Sequence, residues 1–184
     1  MQIFETTSRI IVTCSNRLSP YLEKEILALG FTPERIFKTG VELKGSLQDC
    51  IKLNLNLRCA ISVLVMVEKF KINSEDDLYK KSKKIDWDKY FSIDKTFAVK
   101  GAVFSDLFNH SQYPFLVVKD AIVDTFRDKF DDRPDVNIKS PQVVFDVYIK
   151  NREVTVSLNT SGAPLFHRGY REVTGEAPLN EVVA

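Results

Sequence analysis

The sequence has few cysteines and no long apolar run, and these two absences exclude several classes of protein. Its 3 cysteines are far apart and include no C-x-x-C pair, which argues against a structural zinc site and against a disulfide framework. The longest apolar stretch, residues 60–67, is interrupted by Ser62 and is too short to span a bilayer. The first residues contain no apolar targeting segment. We therefore expect a protein of the reducing cytoplasm that does not insert into a membrane.

The overall charge is close to neutral. The chain has 26 Lys and Arg residues against 25 Asp and Glu residues, so its formal net charge is +1. A balance of this kind does not by itself identify a nucleic-acid-binding protein, and any basic surface has to be created by folding. With 44% hydrophobic and 11% aromatic residues among 184, the composition is that of a globular protein with one large domain or two small ones.

Residues 1–70 show the order of elements of a small α+β domain. Residues 9–14 predict a buried strand, and Ser19-Pro20 predicts the start of a helix that ends at Gly30. Two short strands, residues 36–39 and 41–44, meet at Gly40, and a second helix starts at Ser46. Residues 60–70 predict a final long strand. The order βαββαβ is typical of a ferredoxin-like fold.

A second α/β unit follows. Ser74 and the acidic residues after it predict a helix start, and four lysines at positions 80, 81, 83 and 84 are best explained as the solvated end of that helix. Residues 96–100 predict a strand, 115–130 a helix, and 143–149 with 154–158 a hairpin. Trp87, Tyr90 and Phe91 are interpreted as core anchors rather than as a base-stacking surface.

The most specific signal is a motif near the C-terminal end. Residues 161–171 read SGAPLFHRGYR, and residues 176–184 read EAPLNEVVA. These segments resemble the junction between the THUMP domain and the methyltransferase domain in bacterial ribosomal RNA guanine-N2 methyltransferases, although Phe166 is inserted relative to the family pattern. The matching positions are Ser161, Gly162, Leu165, His167, Arg168, Gly169, Tyr170, Arg171, Ala177, Pro178, Leu179 and Glu181.

The resemblance implies an organisation and a function. It implies an α+β chain with a ferredoxin-like domain at residues 1–70, a THUMP RNA-binding domain at 71–163, and at 164–184 a linker with the start of a methyltransferase domain. The THUMP domain would bind structured ribosomal RNA, and the methyltransferase domain following in cis would bind S-adenosylmethionine and methylate guanine N2. The 184 residues contain no glycine-rich nucleotide loop, so we expect them to hold no cofactor and to be inactive alone.

Seven residues are candidates for contact with RNA, because arginine and lysine pair with phosphates and a tyrosine ring stacks on an unpaired base. For the residues of the junction, packing between domains is the alternative. Lys119, expected at the start of a helix, could instead pair with Asp120 or Asp124. A catalytic role of His167 is not expected, because no nucleophile or carboxylate is placed beside it. The candidates are Lys100, Lys119, Arg127, Arg133, Arg168, Tyr170 and Arg171.

Two other functions are compatible with the sequence. The same THUMP architecture could belong to another RNA-modifying enzyme, such as a thiouridine synthetase, although the junction motif disfavours it. A ferredoxin-like chain of near-neutral charge could also be a protein-interaction module. The dependence of binding on salt concentration distinguishes RNA binding from a protein-interaction module. Each phosphate contact lowers the RNA affinity by roughly 0.7 to 0.9 log units per tenfold rise in salt.

Overall fold

The computed structural model describes residues 6–167, which form two compact units. Unit 1 contains the chain up to Val65 and again from Thr160, and unit 2 contains Met66–Asn159. The chain passes from unit 1 to unit 2 inside one long strand. Within residues 6–167, no helix is both long enough and apolar enough to cross a membrane.

Unit 1 confirms the expected βαββαβ order. Its elements are β1 (Ser8–Cys14), α1 (Ser19–Ala28), β2 (Pro33–Phe37), β3 (Gly40–Gly45), α2 (Leu47–Asn56) and the first half of β4 (Ala60–Lys71). The strand order is β2-β3-β1-β4, and β1 pairs in an antiparallel manner with both β3 and β4. This is the ferredoxin-like arrangement that the element order predicts.

The core of unit 1 follows from the alternation of β1 and from the apolar positions of the two helices. Ile10 and Val12 are fully buried and pack in one cluster with Leu22 and Ile26 of α1 and Leu53 of α2. The β2–β3 turn lies at residues 38–39, one position earlier than Gly40, which is instead the first residue of β3.

The two helices of unit 1 begin differently. Ser46 caps α2, because its hydroxyl accepts the Asp49 amide proton and its own amide donates to the Asp49 carboxylate at 2.8 Å. The expected start of α1 at Ser19-Pro20 included Ser19 as the N-cap residue, and that part is wrong: Ser19 is already inside the helix, and Leu18 is the N-cap residue, without a side-chain hydrogen bond. A capping box satisfies two helix-terminal donors, and α1 has no capping box.

Unit 2 is built from strands and helices that share one hydrophobic core. It contains the second half of β4, α3 (Glu75–Ser82), a short 3-10 helix (Trp87–Lys89), β5 (Phe97–Phe104), α4 (Tyr113–Phe130), β6 (Val143–Lys150) and β7 (Glu153–Asn159). The strand order is β4-β7-β6-β5, with β5 and β6 parallel and β6 and β7 joined as an antiparallel hairpin. The α+β fold class is thereby confirmed for both units.

Aromatic side chains form the core of unit 2. The Trp87 ring meets the edge of Phe145 at 4.9 Å between centroids, and the Trp87 indole N–H donates to the Ser82 carbonyl at 2.9 Å. Phe91 contacts Phe145 and Phe126 of α4. The interpretation of Trp87 and Phe91 as core anchors is confirmed, because both are buried.

Two elements of unit 2 are longer than their sequence patterns predicted. β5 continues past residue 100 to Phe104, and α4 starts at Tyr113 rather than at residue 115. Gly101 therefore lies within β5 rather than after it, with φ +152°, and a Cβ atom at this position would lie 1.9 Å from the Val147 carbonyl oxygen. Only glycine allows β5 and β6 to pair so closely here.

After β7 the chain returns to unit 1 through a group of hydrogen bonds that we call the Asn54 clasp. The Asn54 amide group donates to the Thr160 hydroxyl at 2.9 Å and accepts from the Ser161 hydroxyl at 2.6 Å. Ser161 also accepts the Val63 amide proton at 2.8 Å, and the Leu165 amide donates to the Ile61 carbonyl at 2.8 Å. Residues 160–165 are thus held beside the first half of β4.

Candidate nucleic-acid interface

A solvent-open groove of about 970 Å³ lies between α3, α4 and the loop of residues 133–136 in unit 2. We call it the helical groove. It contains three of the seven predicted site residues, which come from two separate segments of the chain. Among its lining residues are Tyr79, Lys80, Lys119, Asp124, Arg127 and Arg133.

Helix geometry and the end of α4 explain why these cations lie together. Lys119 and Arg127 are eight residues apart, which is about two helical turns, so both project from one side of α4. The helix ends at Phe130, and the C-cap residue Asp131 has a left-handed conformation (φ 55°) that turns the chain away from the helix axis. The following loop is then held beside β5, because the Phe97 amide donates to the Asp135 carbonyl at 3.0 Å. Arg133 consequently lines the same groove.

Lys119 does not lie at the start of a helix, where the sequence pattern placed it. It lies six residues after Tyr113, the first residue of α4, so it is not a cation at a helix N-terminus. Its ammonium group lies 2.8 Å from the Asp120 carboxylate, and the side chain is 30% exposed. The expectation of a helix-terminal lysine was wrong because the helix begins further upstream. The pairing with Asp120, the alternative to RNA contact, is present.

Acidic side chains balance the cations of the helical groove. Its lining contains four cations, at positions 80, 119, 127 and 133, and five carboxylates, at positions 75, 76, 120, 124 and 135. The Arg127 guanidinium lies 3.4 Å from Asp124, which also accepts a 2.7 Å hydrogen bond from the Tyr79 hydroxyl. This hydrogen bond raises the pKa of Tyr79 above its ordinary value. Exposed ion pairs of this kind contribute at most about 1 kcal/mol, so a phosphate can compete for the cations.

Two cations of the groove are more available. Within residues 6–167, neither Lys80 nor Arg133 forms an ion pair, and both are exposed. An arginine without a carboxylate partner keeps its planar set of N–H donors for a bidentate contact with phosphate. Lys80 was not among the predicted site residues, because its position at the end of α3 is that of an ordinary solvated lysine.

Lys100 lies elsewhere in unit 2. It is exposed, in the middle of β5, and in register with Asp146 of the parallel strand β6. Neighbouring residues on these strands, Phe97 and Phe145, pack into the core with α4. Because side chains alternate along a strand, Lys100 projects from the opposite face of the sheet. The structure therefore does not bring Lys100 to the helical groove.

The remaining candidates are in the junction motif. Arg168, Tyr170 and Arg171 lie outside the described residues. His167 is exposed, its amide donates to the Pro164 carbonyl at 2.9 Å, and its ring meets that of Phe166. Among residues 6–167 there is no group of three or more His, Cys, Asp or Glu side chains that could hold a metal ion.

Comparison with known proteins matches both units. Residues 9–64 match the model of the RlmL ferredoxin-like domain, and residues 73–159 match that of the THUMP domain. Two relatives named "Ribosomal RNA large subunit methyltransferase K/L", from Psychromonas ingrahamii and Shewanella frigidimarina, are each 37% identical, over 91% and 89% of this chain. The chain spans only 22% and 23% of their lengths.

Solved structures have the same fold. A "possible methylase" from Clostridium difficile 630 superposes with a TM-score of 0.85 and 26% identity, covering 97% of this chain and 47% of that protein. The protein SMU.472, solved in complex with SAH, gives a TM-score of 0.83 and 24% identity over the same shares of the two chains, a likeness that shows the fold alone.

Proposed function

We infer that this chain is the RNA-binding N-terminal part of a ribosomal RNA methyltransferase. Residues 9–64 belong to the RlmL ferredoxin-like domain family, and residues 73–159 belong to the THUMP domain family. The proposed reaction of the whole protein is transfer of a methyl group from S-adenosylmethionine to guanine N2 of large-subunit ribosomal RNA. Support comes from the names of the relatives and from the SAH bound to a protein of the same fold. The proposed methyltransferase domain follows in cis.

The helical groove is the proposed binding site for structured RNA. The observation that carries this proposal is the convergence of Lys119, Arg127 and Arg133, from a helix and a later loop, on one open groove. Three cations that line one groove can contact several phosphates of the same RNA, which isolated surface lysines cannot do. Lys80 adds a fourth cation from α3.

The balance of charge in the groove predicts moderate affinity. A phosphate that binds Lys119 or Arg127 has to displace Asp120 or Asp124, whereas Arg133 has no such competitor among the described residues. Binding should therefore depend on the shape of the RNA as well as on its charge. If the three cations each meet one phosphate, the logarithm of the association constant should fall by about 2 to 3 per tenfold rise in salt.

The test is binding of the 184-residue chain to a structured ribosomal RNA hairpin across a salt series. Lys119→Ala, Arg127→Ala and Arg133→Ala should each weaken binding and reduce the salt slope by about 0.7 to 0.9. Lys129→Ala is the matched control, because Lys129 lies on the same helix, pairs with Asp88 and does not line the groove. Equal effects of the control and the groove variants would contradict this site.

The other candidate residues remain proposals with their own tests. For Arg168, Tyr170 and Arg171 we propose contact with the RNA near the junction, and alanine variants should lower hairpin affinity without changing the melting temperature. Lys100, on the other face of the sheet, should contribute to RNA affinity separately from the helical groove.

The free thiols of Cys14, Cys50 and Cys59 are consistent with the proposed cytoplasmic location.

A further inference from the structure

The face of the unit 2 sheet that is turned away from α4 carries an exposed aromatic pair. Phe104 of β5 is 61% exposed and Tyr148 of β6 is 42% exposed, and their ring centroids are 5.8 Å apart with the planes tilted by 55°. Neighbouring strand positions, Val103, Val147 and Ile149, pack into the core instead. Large aromatic side chains on an open sheet face are costly to leave in water and offer flat surfaces for stacking.

Two lysines flank the aromatic pair. In the parallel register of β5 and β6, Phe104 lies opposite Lys150 and Lys100 lies opposite Asp146. Within residues 6–167 neither lysine forms an ion pair within 4.0 Å. Glu153, which lies opposite Lys150 on β7, is itself paired with Lys69 at 2.9 Å. The face therefore combines stacking surfaces with cations that no carboxylate engages closely.

Asp146 of β6 is a carboxylate in the middle of this face. It is two residues from Tyr148 on the same strand, so the two side chains project in the same direction about 7 Å apart. Its side chain is partly buried, and within the described part of the chain its oxygens accept no hydrogen bond. Burial raises the pKa of Asp146, against the opposite influence of Lys100. A carboxylate of this kind gains from any ligand that brings N–H donors to it.

We propose that this sheet face binds unpaired RNA nucleotides, with a base stacked on Tyr148 and Phe104, phosphates near Lys100 and Lys150, and a preference for guanine set by Asp146. Guanine is preferred because its N1–H and its N2 amino group are adjacent donors that match the two oxygens of one carboxylate. Each other RNA base has fewer adjacent donors on that edge. The proposal rests on the proposed function, because it assigns the single-stranded part of the RNA to a surface other than the helical groove.

The experiment uses labelled single-stranded hexamers, UUGUUU and UUUUUU, together with the structured hairpin, and measures their affinity for the 184-residue chain. Tyr148→Ala and Phe104→Ala should each weaken binding of UUGUUU by about tenfold, since stacking of one base on an aromatic ring is worth that much or more. Tyr148→Phe, which keeps the ring, should bind as the wild type does. The exposed positions and the unchanged core make these variants foldable, and the fluorescence of Trp87 reports on the fold of unit 2.

Asp146→Asn tests the base preference. This variant has nearly the same shape as the wild type but only one acceptor oxygen, so it should lose most of the advantage of UUGUUU over UUUUUU while UUUUUU binds unchanged. A preference for guanine that survives Asp146→Asn would overturn the role of Asp146.

The outcomes separate the two proposals. If the hairpin binds through Lys119, Arg127 and Arg133 but neither hexamer binds, the sheet face is not an RNA site, and its aromatic pair serves a protein partner or none. If Tyr148→Ala binds UUGUUU as the wild type does, the stacking surface is also refuted. If neither the hairpin nor the hexamers bind at low salt, the proposed function fails together with this inference.

Discussion

The hydrogen bonds of the Asn54 clasp predict how strongly the segment after β7 is held against unit 1. Asn54→Ala removes one side-chain hydrogen bond to Thr160 and one to Ser161, while both hydroxyls keep their contacts with Val63. It also removes a 2.8 Å bond from the Asn54 amide to the Cys50 carbonyl within α2, which does not hold the segment after β7. Because no buried group is left without a partner, the loss should be the net value of two hydrogen bonds, about 2 kcal/mol. An energy of this size corresponds to an approximately 30-fold change in the population of the opened clasp.

Hydrogen exchange measures that population directly. The amide of Thr160 donates to the Val63 carbonyl, and the amide of Val63 donates to the Ser161 hydroxyl, so both protons exchange when the clasp opens. We expect both amides to exchange about 30-fold faster in Asn54→Ala, while amides of β1 keep their rates. Asn56→Ala is the matched control, since Asn56 lies on the same helix and its side chain, among residues 6–167, bonds only to the Lys52 carbonyl.

The result that would refute this reasoning is an equal response of the two variants. If Asn54→Ala and Asn56→Ala change the exchange of Val63 and Thr160 by the same factor, the side-chain bonds of Asn54 do not hold the segment after β7. A uniform increase throughout unit 1 would mean that Asn54 stabilises the whole unit rather than this segment. Circular dichroism melting distinguishes that case, because only a global effect lowers the melting temperature.

Three further predictions concern the fold. Gly101→Ala should destabilise unit 2 by about 3 kcal/mol in denaturant titrations, because it adds backbone strain and a clash with β6. Gly30 has φ +85° but open space around it, so Gly30→Ala should lower the free energy of unfolding by only about 1 kcal/mol. Similar losses in the two variants would argue against the close approach of β5 and β6 at Gly101. Asp146→Asn should raise the melting temperature at neutral pH, because burial raises the pKa of this carboxyl above 3.8 and its ionised form therefore destabilises the native state. That gain should vanish as the pH falls through the raised pKa towards 3.8, where the wild-type carboxyl is protonated, and a gain that does not change with pH would contradict the assignment. Ser46→Ala should lower the free energy of unfolding by about 1 kcal/mol, because it removes the capping box of α2. Ser19→Ala removes no cap, so its melting temperature should fall clearly less than that of Ser46→Ala.

The order of elements and most of both cores follow from the sequence alone. Alternation along β1 and the spacing of Leu22 and Ile26 along α1 depend only on the geometry of a strand and a helix, so they can be read locally. The ferredoxin-like and THUMP assignments rested on that order and on the junction motif. The start of α4 was placed too late, because residues 105–112 are mostly polar or turn-forming and give no clear helix-start signal.

The candidate sites were decided by tertiary structure. Lys119, Arg127 and Arg133 could be nominated singly, but their convergence depends on the left-handed turn at Asp131 and on the pairing of the following loop with β5. The separation of Lys100 from them depends on which sheet face α4 covers.

Two pairings of polar residues were not predicted from the sequence. Asn54 contacts Thr160 and Ser161 across more than a hundred residues, and Asp146 lies in register with Lys100 because β5 and β6 pair in parallel. Sequence by itself determined which residues are buried along each helix and strand, because periodicity is a local property. Only the tertiary structure decided which polar side chains meet, because register and packing join segments that are distant in the chain.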